Sequence, residues 1–338
     1  MWEDTHFRHK YWHERWPIRI LIGFVVLLLV LCILPYFFPL SAAEDLQSGK
    51  PFANSQFVIA SGVALHCRIW NPQSDQCQGK ILLIHGLGAS TYSWEQTADS
   101  LSQAGYWVIA VDLPGFGYSS RQTGIDHSQK QRSQLVWQLL QTFENQIPDQ
   151  AQNQNWTLIG HSMGAGTVAA MALAEPELTA QLVLVDGALL DMPQSITTAL
   201  IRFPPAARWL SVILENLVIQ ESNIHNILGS AYLSDPTPEQ AQAYLQPLLI
   251  SGTARALTDL VLTAKNESAA ALKEAAFPID AIWGESDPVI PVSQSLTLKQ
   301  MIPALNIRTI AGAGHVPMET HHDAFSKILL EILQKPDA

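Results

Sequence analysis

Ser162 sits at the centre of LIGHSMGAG, residues 158 to 166. A serine hydroxyl becomes a nucleophile when an imidazole takes its proton and a carboxylate holds that imidazole in place. Both partners occur later in the chain: Asp287 in GESDPVIP and, 28 residues on, His315 in GAGHVP. Serine, aspartate, histidine is the chain order expected when a nucleophile on a strand-to-helix turn is served by partners at later strand ends. As a bare pattern G-x-S-x-G also fits a tight turn with no chemistry, because glycine suits any place where backbones approach closely. The surrounding elements therefore have to decide.

Attack on a carbonyl also needs donors for the developing oxyanion. The backbone N–H of Met163, at a helix N-terminus, is one candidate, and that of Leu87, after the strand ILLIHGLG, is the second. His85, Gly86, His161, Phe203 and Trp209 are further candidates for the substrate pocket, with His85 read chiefly as a structural hydrogen-bonding residue. Asp186 in LVLVDG also ends a strand and is the second choice for the acid. The stretch DLPGFGYS (112–119) reads as a turn beside the site. No His or Cys group has metal-ligand spacing, and this chemistry requires neither metal nor organic cofactor.

The elements that position these residues follow from the apolar pattern. FVIASGVALHCRIW (57–70) predicts a hairpin, and KILLIHG, YWVIAVDLPG, WTLIGHS and QLVLVDG predict strands alternating with helices near 94–105, 127–147 and 163–175. Runs such as ILLI, VIAV and LVLV are continuous and β-branched, as in strands buried on both faces, so the sheet is parallel and the class α/β. The alternation lapses over 188–275, a helical stretch expected to form a lid over the C-terminal edge of the sheet, where such sheets bind ligands. It resumes with FPIDAIWGESD, LNIRTIAGAGH and a last amphipathic helix around AFSKILLEIL. The expected organisation is a hydrolytic core over 57–187 and 276–338, interrupted by the lid. Within the lid, residues 201–220 place Phe203, Trp209, Leu210, Ile213, Leu214 and Leu217 on one apolar face, for packing on the core or for acyl or membrane contact.

Residues 20–43 carry no charge. A helix of this length crosses a hydrocarbon core of about 30 Å. Trp12, Trp16, Tyr36, Phe37 and Phe38 flank the run, and Arg8, Lys10, Arg15 and Arg19 precede it. That asymmetry predicts a cytoplasmic tail (1–19), a membrane anchor (20–43), a linker (44–56) and a catalytic domain in the periplasm or outside. The competing reading is a signal cleaved after the small residues Ser41, Ala42 and Ala43, which would yield a secreted protein. His6, His9 and His13 lie in the cationic tail and suit solvent or headgroup contact. Cys67 and Cys77 are read as separate thiols, with a disulfide as the alternative in an oxidising compartment. The net charge of −11, with only 19 Lys plus Arg and no basic run interleaved with aromatics, argues against a nucleic-acid partner.

HGLG, DLPGFGYS, GHSMG, GESDPVIP and GAGHVP together resemble the α/β-hydrolase superfamily, over residues 57 to 335. The resemblance implies an eight-stranded, mostly parallel sheet with a helical cap, Ser162 as nucleophile, His315 as base and Asp287 as its orienting acid. Haloalkane dehalogenases and epoxide hydrolases of that superfamily use an aspartate nucleophile, so serine at 162 argues against both. The Ser-Met-Gly elbow is similar to those of monoacylglycerol lipases, carboxylesterases and carbon-carbon bond hydrolases, with Ala165 where a second glycine is often seen. The expectation is a membrane-anchored serine hydrolase of carboxylic esters with an apolar acyl group, its partners a small ester or lipid and the bilayer. Two alternatives stay open: a carbon-carbon hydrolase of diketone-type substrates, and a non-catalytic binding protein on a hydrolase fold.

Overall fold

A computed structural model describes residues 3–43, 50–190 and 196–334. The side chains of His6, His9 and His13, residues 44–49 of the expected linker and residues 191–195 of the expected lid lie outside the described residues. One sheet of eight strands organises the rest. β1 (Ser55–Ala60) and β2 (Val63–Trp70) form the hairpin, turning through Ser61 and Gly62. Both turn residues have positive φ, as a two-residue hairpin loop matched to strand twist requires. β3 (Gly79–Ile84), β4 (Tyr106–Val111), β5 (Trp156–His161), β6 (Thr179–Val185), β7 (Ile279–Gly284) and β8 (Asn306–Ile310) follow. Their order is β1-β2-β4-β3-β5-β6-β7-β8, antiparallel at β1/β2 and β2/β4 and parallel elsewhere.

Strand β3 shows why the sheet is buried on both faces. Leu82 and Ile84 enter a core with residues of α3 (Gln129–Gln141) and α5 (Met163–Ala174), while Ile81 and Leu83 enter a second core with α2 (Glu95–Gln103) and α13 (His322–Leu333). The two-residue alternation of a strand thus feeds two hydrophobic layers. The helix expected over 127–147 is shorter: α3 stops at Gln141, and only a turn and α4 (Asp149–Gln152) follow. Pro148 forces Ile147 into an extended conformation, which a continuous helix does not allow. α11 (Ser293–Met301) and α12 (Pro317–Thr320) complete the core elements.

Between β6 and β7 the described chain is helical, with α6 (Ile196–Ile201), α7 (Pro204–Ile213), α8 (Glu221–Tyr232), α9 (Pro238–Leu248) and α10 (Thr253–Thr263). α7 runs on into a π-helical turn, Leu214–Val218. Ile219, Ile224, Leu245, Leu248 and Ala254 give this segment a small core of its own. Arg121 ties it to the sheet. Its buried guanidinium donates to the carbonyls of Phe116, Gly117 and Ser119 on one side and to Pro247 O and Thr253 Oγ1 on the other. In α8, an added Cβ on Gly229 meets only Pro236 Cδ and Ser234 O, both at 3.6 Å. Gly229→Ala therefore raises stability by about 0.5–1 kcal/mol, read as an increase in denaturation midpoint at unchanged slope.

α1 spans Glu3–Ile33, with a 3-10 turn at Leu34–Phe37. Trp16–Phe37 is apolar enough to cross a membrane, with a mean hydropathy of 3.0, and is almost wholly exposed. The regular helix ends earlier than the expected boundary at 43, because Pro35 lacks the N–H that would continue it. The residues beyond it fold back onto the helical segment. Arg208 donates to Phe38 O and Pro35 O, the Trp209 indole donates to Leu31 O, and Arg255 donates to Leu40 O. Ser41 donates to Glu215 through both its amide and its hydroxyl. Cys67 and Cys77 are buried free thiols, not bonded to each other.

Candidate active site

β5 delivers the chain to Ser162 and α5 carries it away. The turn between them is so tight that Ser162 has φ 50° and ψ −117°, a conformation that a non-glycine residue adopts only when its surroundings impose it. Two glycines make the close approach possible. A Cβ on Gly164 would lie 2.4 Å from Ile84 O and 2.5 Å from His85 O, and one on Gly160 would lie 2.5 Å from Gly164 O. The strain directs the hydroxyl away from the sheet edge, at the N-terminus of a helix where amide N–H groups have no intrahelical partner.

Loops at the ends of β7 and β8 bring the other two residues to it. Ser162 Oγ lies 3.0 Å from His315 Nε2, and His315 Nδ1 lies 2.7 Å from Asp287 Oδ2. Asp287 Oδ1 accepts the N–H groups of Val289 and Ile290, at 2.7 and 2.9 Å. Against the upward push of burial, these bonds and the His315 imidazole hold the Asp287 carboxyl below the usual carboxylate range. An ionised Asp287 fixes the proton of His315 on Nδ1, leaving Nε2 free to accept the serine proton. Ser162 and His315 keep 8% and 7% of their surface exposed, enough for a reactant to reach them.

Met163 is the first residue of α5, and Gly86 lies against the nucleophile, where an added Cβ would be 3.1 Å from Ser162 Cβ. Leu87, next in that loop, is 60% exposed. His85 makes structural hydrogen bonds, as its main reading expects, and His161 is buried beside His315. His85 is fully buried, donating from Nδ1 to Gly86 O and accepting the Leu113 N–H at Nε2. His161 donates from Nε2 to His315 O at 2.7 Å, with the two rings 4.8 Å apart. Burial, then the neighbouring His315, push its imidazole down to about 3, so it stays neutral and serves as a prop for His315. The Trp209 indole donates to Leu31 O of the N-terminal helix, and its ring packs on Phe38 at 5.9 Å. Phe203 stands 55% exposed at the start of α7. Asp186 accepts the Gly284 N–H at 2.8 Å and lies beside Asp287 and His315 without taking the imidazole bond.

A second Ser-His-Asp constellation exists that the sequence does not signal. His66 lies 2.7 Å from both Ser55 Oγ and Asp112 Oδ2. Its distances are as good as those at Ser162, so distance alone does not identify a nucleophile. Access does. Ser55, His66 and Asp112 are 1%, 0% and 0% exposed, and the Asp112 carboxylate also accepts the N–H groups of Thr91 and Tyr118. This group ties the hairpin to the 112–119 turn.

Glu319, four residues beyond His315, is another residue the sequence does not single out. Its two carboxylate oxygens accept the hydroxyls of Tyr232 at the end of α8 and Tyr244 in α9. The His315 N–H donates to Ala231 O, also in α8. The histidine loop is thus fastened to the helical segment at two points. Burial raises the Glu319 carboxyl to about 7, an effect that the two tyrosine hydrogen bonds only partly oppose. Between an unfolded value of about 4.3 and that folded value, the native chain holds a proton that the unfolded chain has lost. Stability from this group is therefore complete below about 4.3 and is lost as pH rises through about 7. Glu319→Gln is expected to shrink the fall in melting temperature between pH 5 and pH 8, measured by calorimetry.

A family model described as alpha/beta hydrolase fold matches residues 80–322. The chain is 24% identical over 295 residues to 2-hydroxy-6-oxononadienedioate/2-hydroxy-6-oxononatrienedioate hydrolase of Escherichia coli, covering 84% of this chain and 97% of the relative. Among solved structures, a bacterial membrane phospholipase A superposes with a TM-score of 0.65 at 21% identity, covering 94% of this chain and 99% of the other. A thermophilic esterase of Thermogutta terrifontis superposes with a TM-score of 0.61 at 19% identity, covering 83% and 98%.

Proposed function

The chain belongs to the alpha/beta hydrolase fold family, and on that premise we propose that it is a membrane-anchored serine hydrolase cleaving carboxylic esters with an apolar acyl group. The observation that carries this reading is the hydrogen-bonded chain from Ser162 Oγ through His315 to Asp287. His315 Nε2 takes the Ser162 proton as Oγ attacks the ester carbonyl. The amides of Leu87 and Met163 stabilise the oxyanion, each such donor being worth about 2.7–4 kcal/mol in the transition state. Collapse of the tetrahedral intermediate expels the alcohol, which takes the proton from His315. Water, deprotonated by the same imidazole, then releases the acid from the acyl-enzyme. Asp287 keeps its charge throughout and holds the imidazolium.

The described helices between β6 and β7 act as the lid, and Trp16–Phe37 as a retained anchor with the N-terminus in the cytoplasm. Docking of residues 31–43 on α7 and α10 supports retention, since cleavage after Ala43 would strip Arg208, Trp209 and Arg255 of their partners. Leu200, Phe203, Ile213 and Leu217 are exposed in the helical segment, and α7 meets the end of the N-terminal helix, which supports contact of an apolar lid surface with a bilayer. The phospholipase neighbour's name is consistent with a lipid ester. The Escherichia coli relative favours a second reading, carbon-carbon cleavage of a diketone-type substrate by the same residues.

The full chain in detergent micelles, offered p-nitrophenyl esters of increasing acyl length, monoacylglycerols and a vinylogous diketone, separates the readings. Saturable release of carboxylic acid from the esters is the expected result. Cleavage of the diketone alone would establish the second reading, and turnover of neither would leave a binding protein.

A further inference from the structure

Asp186 ends β6 with φ 44°, a left-handed conformation unusual for a residue other than glycine. Its amide donates to Ile282 O and its Oδ1 accepts the Gly284 N–H, so β7 holds it firmly at the edge of the site. The side chain is wholly buried. One of its carboxyl oxygens, one of Asp287 and one ring nitrogen of His315 all lie within 4.8 Å of one another. Oδ2 of Asp186 is buried with no donor directed at it. A buried carboxylate does not tolerate that, whereas a neutral acid does, by turning its O–H toward Asp287.

Two buried carboxyl groups this close cannot both carry charge at modest cost, so one proton is shared between them. The environments decide which group keeps it. Asp287 has two backbone N–H donors and the imidazole, and Asp186 has a single N–H. We propose that Asp186 is a neutral reserve acid: a positioning residue that donates a hydrogen bond to Asp287 and can itself orient His315 once the Asp287 carboxylate is removed. Burial and the charge of Asp287 both hold the Asp186 carboxyl well above the usual carboxylate range, which agrees with that protonation state. With Asp287 gone the like charge disappears, the Asp186 proton passes to solvent, and the resulting carboxylate faces the nearby imidazole across the vacated space. This inference rests on the proposed serine-hydrolase chemistry.

The test compares ester turnover by the wild-type chain, Asp287→Ala and the double variant Asp287→Ala/Asp186→Asn, each shown by circular dichroism to be folded. Asp287→Ala is expected to retain at least about tenfold more activity than the double variant. Equal activity of the two folded variants would overturn the proposal. Infrared difference spectroscopy of wild type against Asp186→Asn gives a readout that does not depend on turnover or on the folding of Asp287→Ala. A neutral carboxylic C=O stretch at pH 7 is expected in the wild type and absent from the variant, and a carboxylate doublet in its place would overturn the proposal. A wild-type chain without any ester turnover would instead count against the hydrolase reading, leaving the infrared result to decide the protonation of Asp186.

Discussion

Replacing Ser162 by alanine is expected to lower kcat/KM for ester hydrolysis by about 10⁴- to 10⁶-fold, the range seen when the nucleophile of a triad is removed. That corresponds to about 5–8 kcal/mol of transition-state stabilisation. The loss is so large because His315 and Asp287 act only through the serine: without Oγ the imidazole at 3.0 Å has no proton to take. The backbone strain is the same for alanine as for serine, since both carry a Cβ at φ 50°. The melting temperature therefore stays close to that of the wild type. Steady-state kinetics with a p-nitrophenyl ester, alongside thermal unfolding, checks both halves. A loss under tenfold in a folded variant would place the chemistry elsewhere.

Gly164→Ala is the second large effect, on stability first and activity through it. Its new Cβ would stand 2.4–2.5 Å from the carbonyl oxygens of Ile84 and His85 and 2.9 Å from Ile84 C. These are backbone atoms at the end of a central strand, so nothing flexible can yield. Overpacking of a rigid site typically costs about 1–3 kcal/mol and occasionally more, and the upper end of that range applies here. At about 2–4 °C per kcal/mol for a domain of this size or somewhat smaller, the melting temperature falls by roughly 6–12 °C. The carbonyl that is pushed belongs to the loop running on to Gly86 and Leu87, so the oxyanion donors shift too. Turnover by the surviving folded fraction is expected to fall by more than tenfold, as misplacement of a catalytic group by about 1 Å costs about 100-fold. Denaturant titration and active-site-normalised kinetics measure the two effects separately.

Strands and elbow were legible in the sequence because their signals are local. ILLI, VIAV and LVLV are contiguous, and the glycines around Ser162 all fall within the seven residues 160–166. Asp287 and His315 were legible for a different reason: each follows an apolar run directly, in a loop of Gly and Pro, so strand order alone places them on one edge. The contacts of Glu319 with Tyr232 and Tyr244 join residues 87 and 75 positions apart, and no periodicity links them. Trp209 shows the limit of a hydrophobic face: its spacing announces burial against something, and the partner turned out to be the end of the N-terminal helix. The buried group at Ser55, His66 and Asp112 was invisible because its serine lies on a hairpin strand without any elbow pattern.

That buried group also defines the most direct test. The wild-type chain, solubilised in mild detergent, is incubated with a fluorophosphonate probe and the modified residue is located by peptide mass spectrometry. A single adduct on Ser162 is expected, absent from Ser162→Ala and from a sample unfolded before labelling. An adduct on Ser55 or any other serine, or none on a folded chain at any detergent concentration, would contradict it.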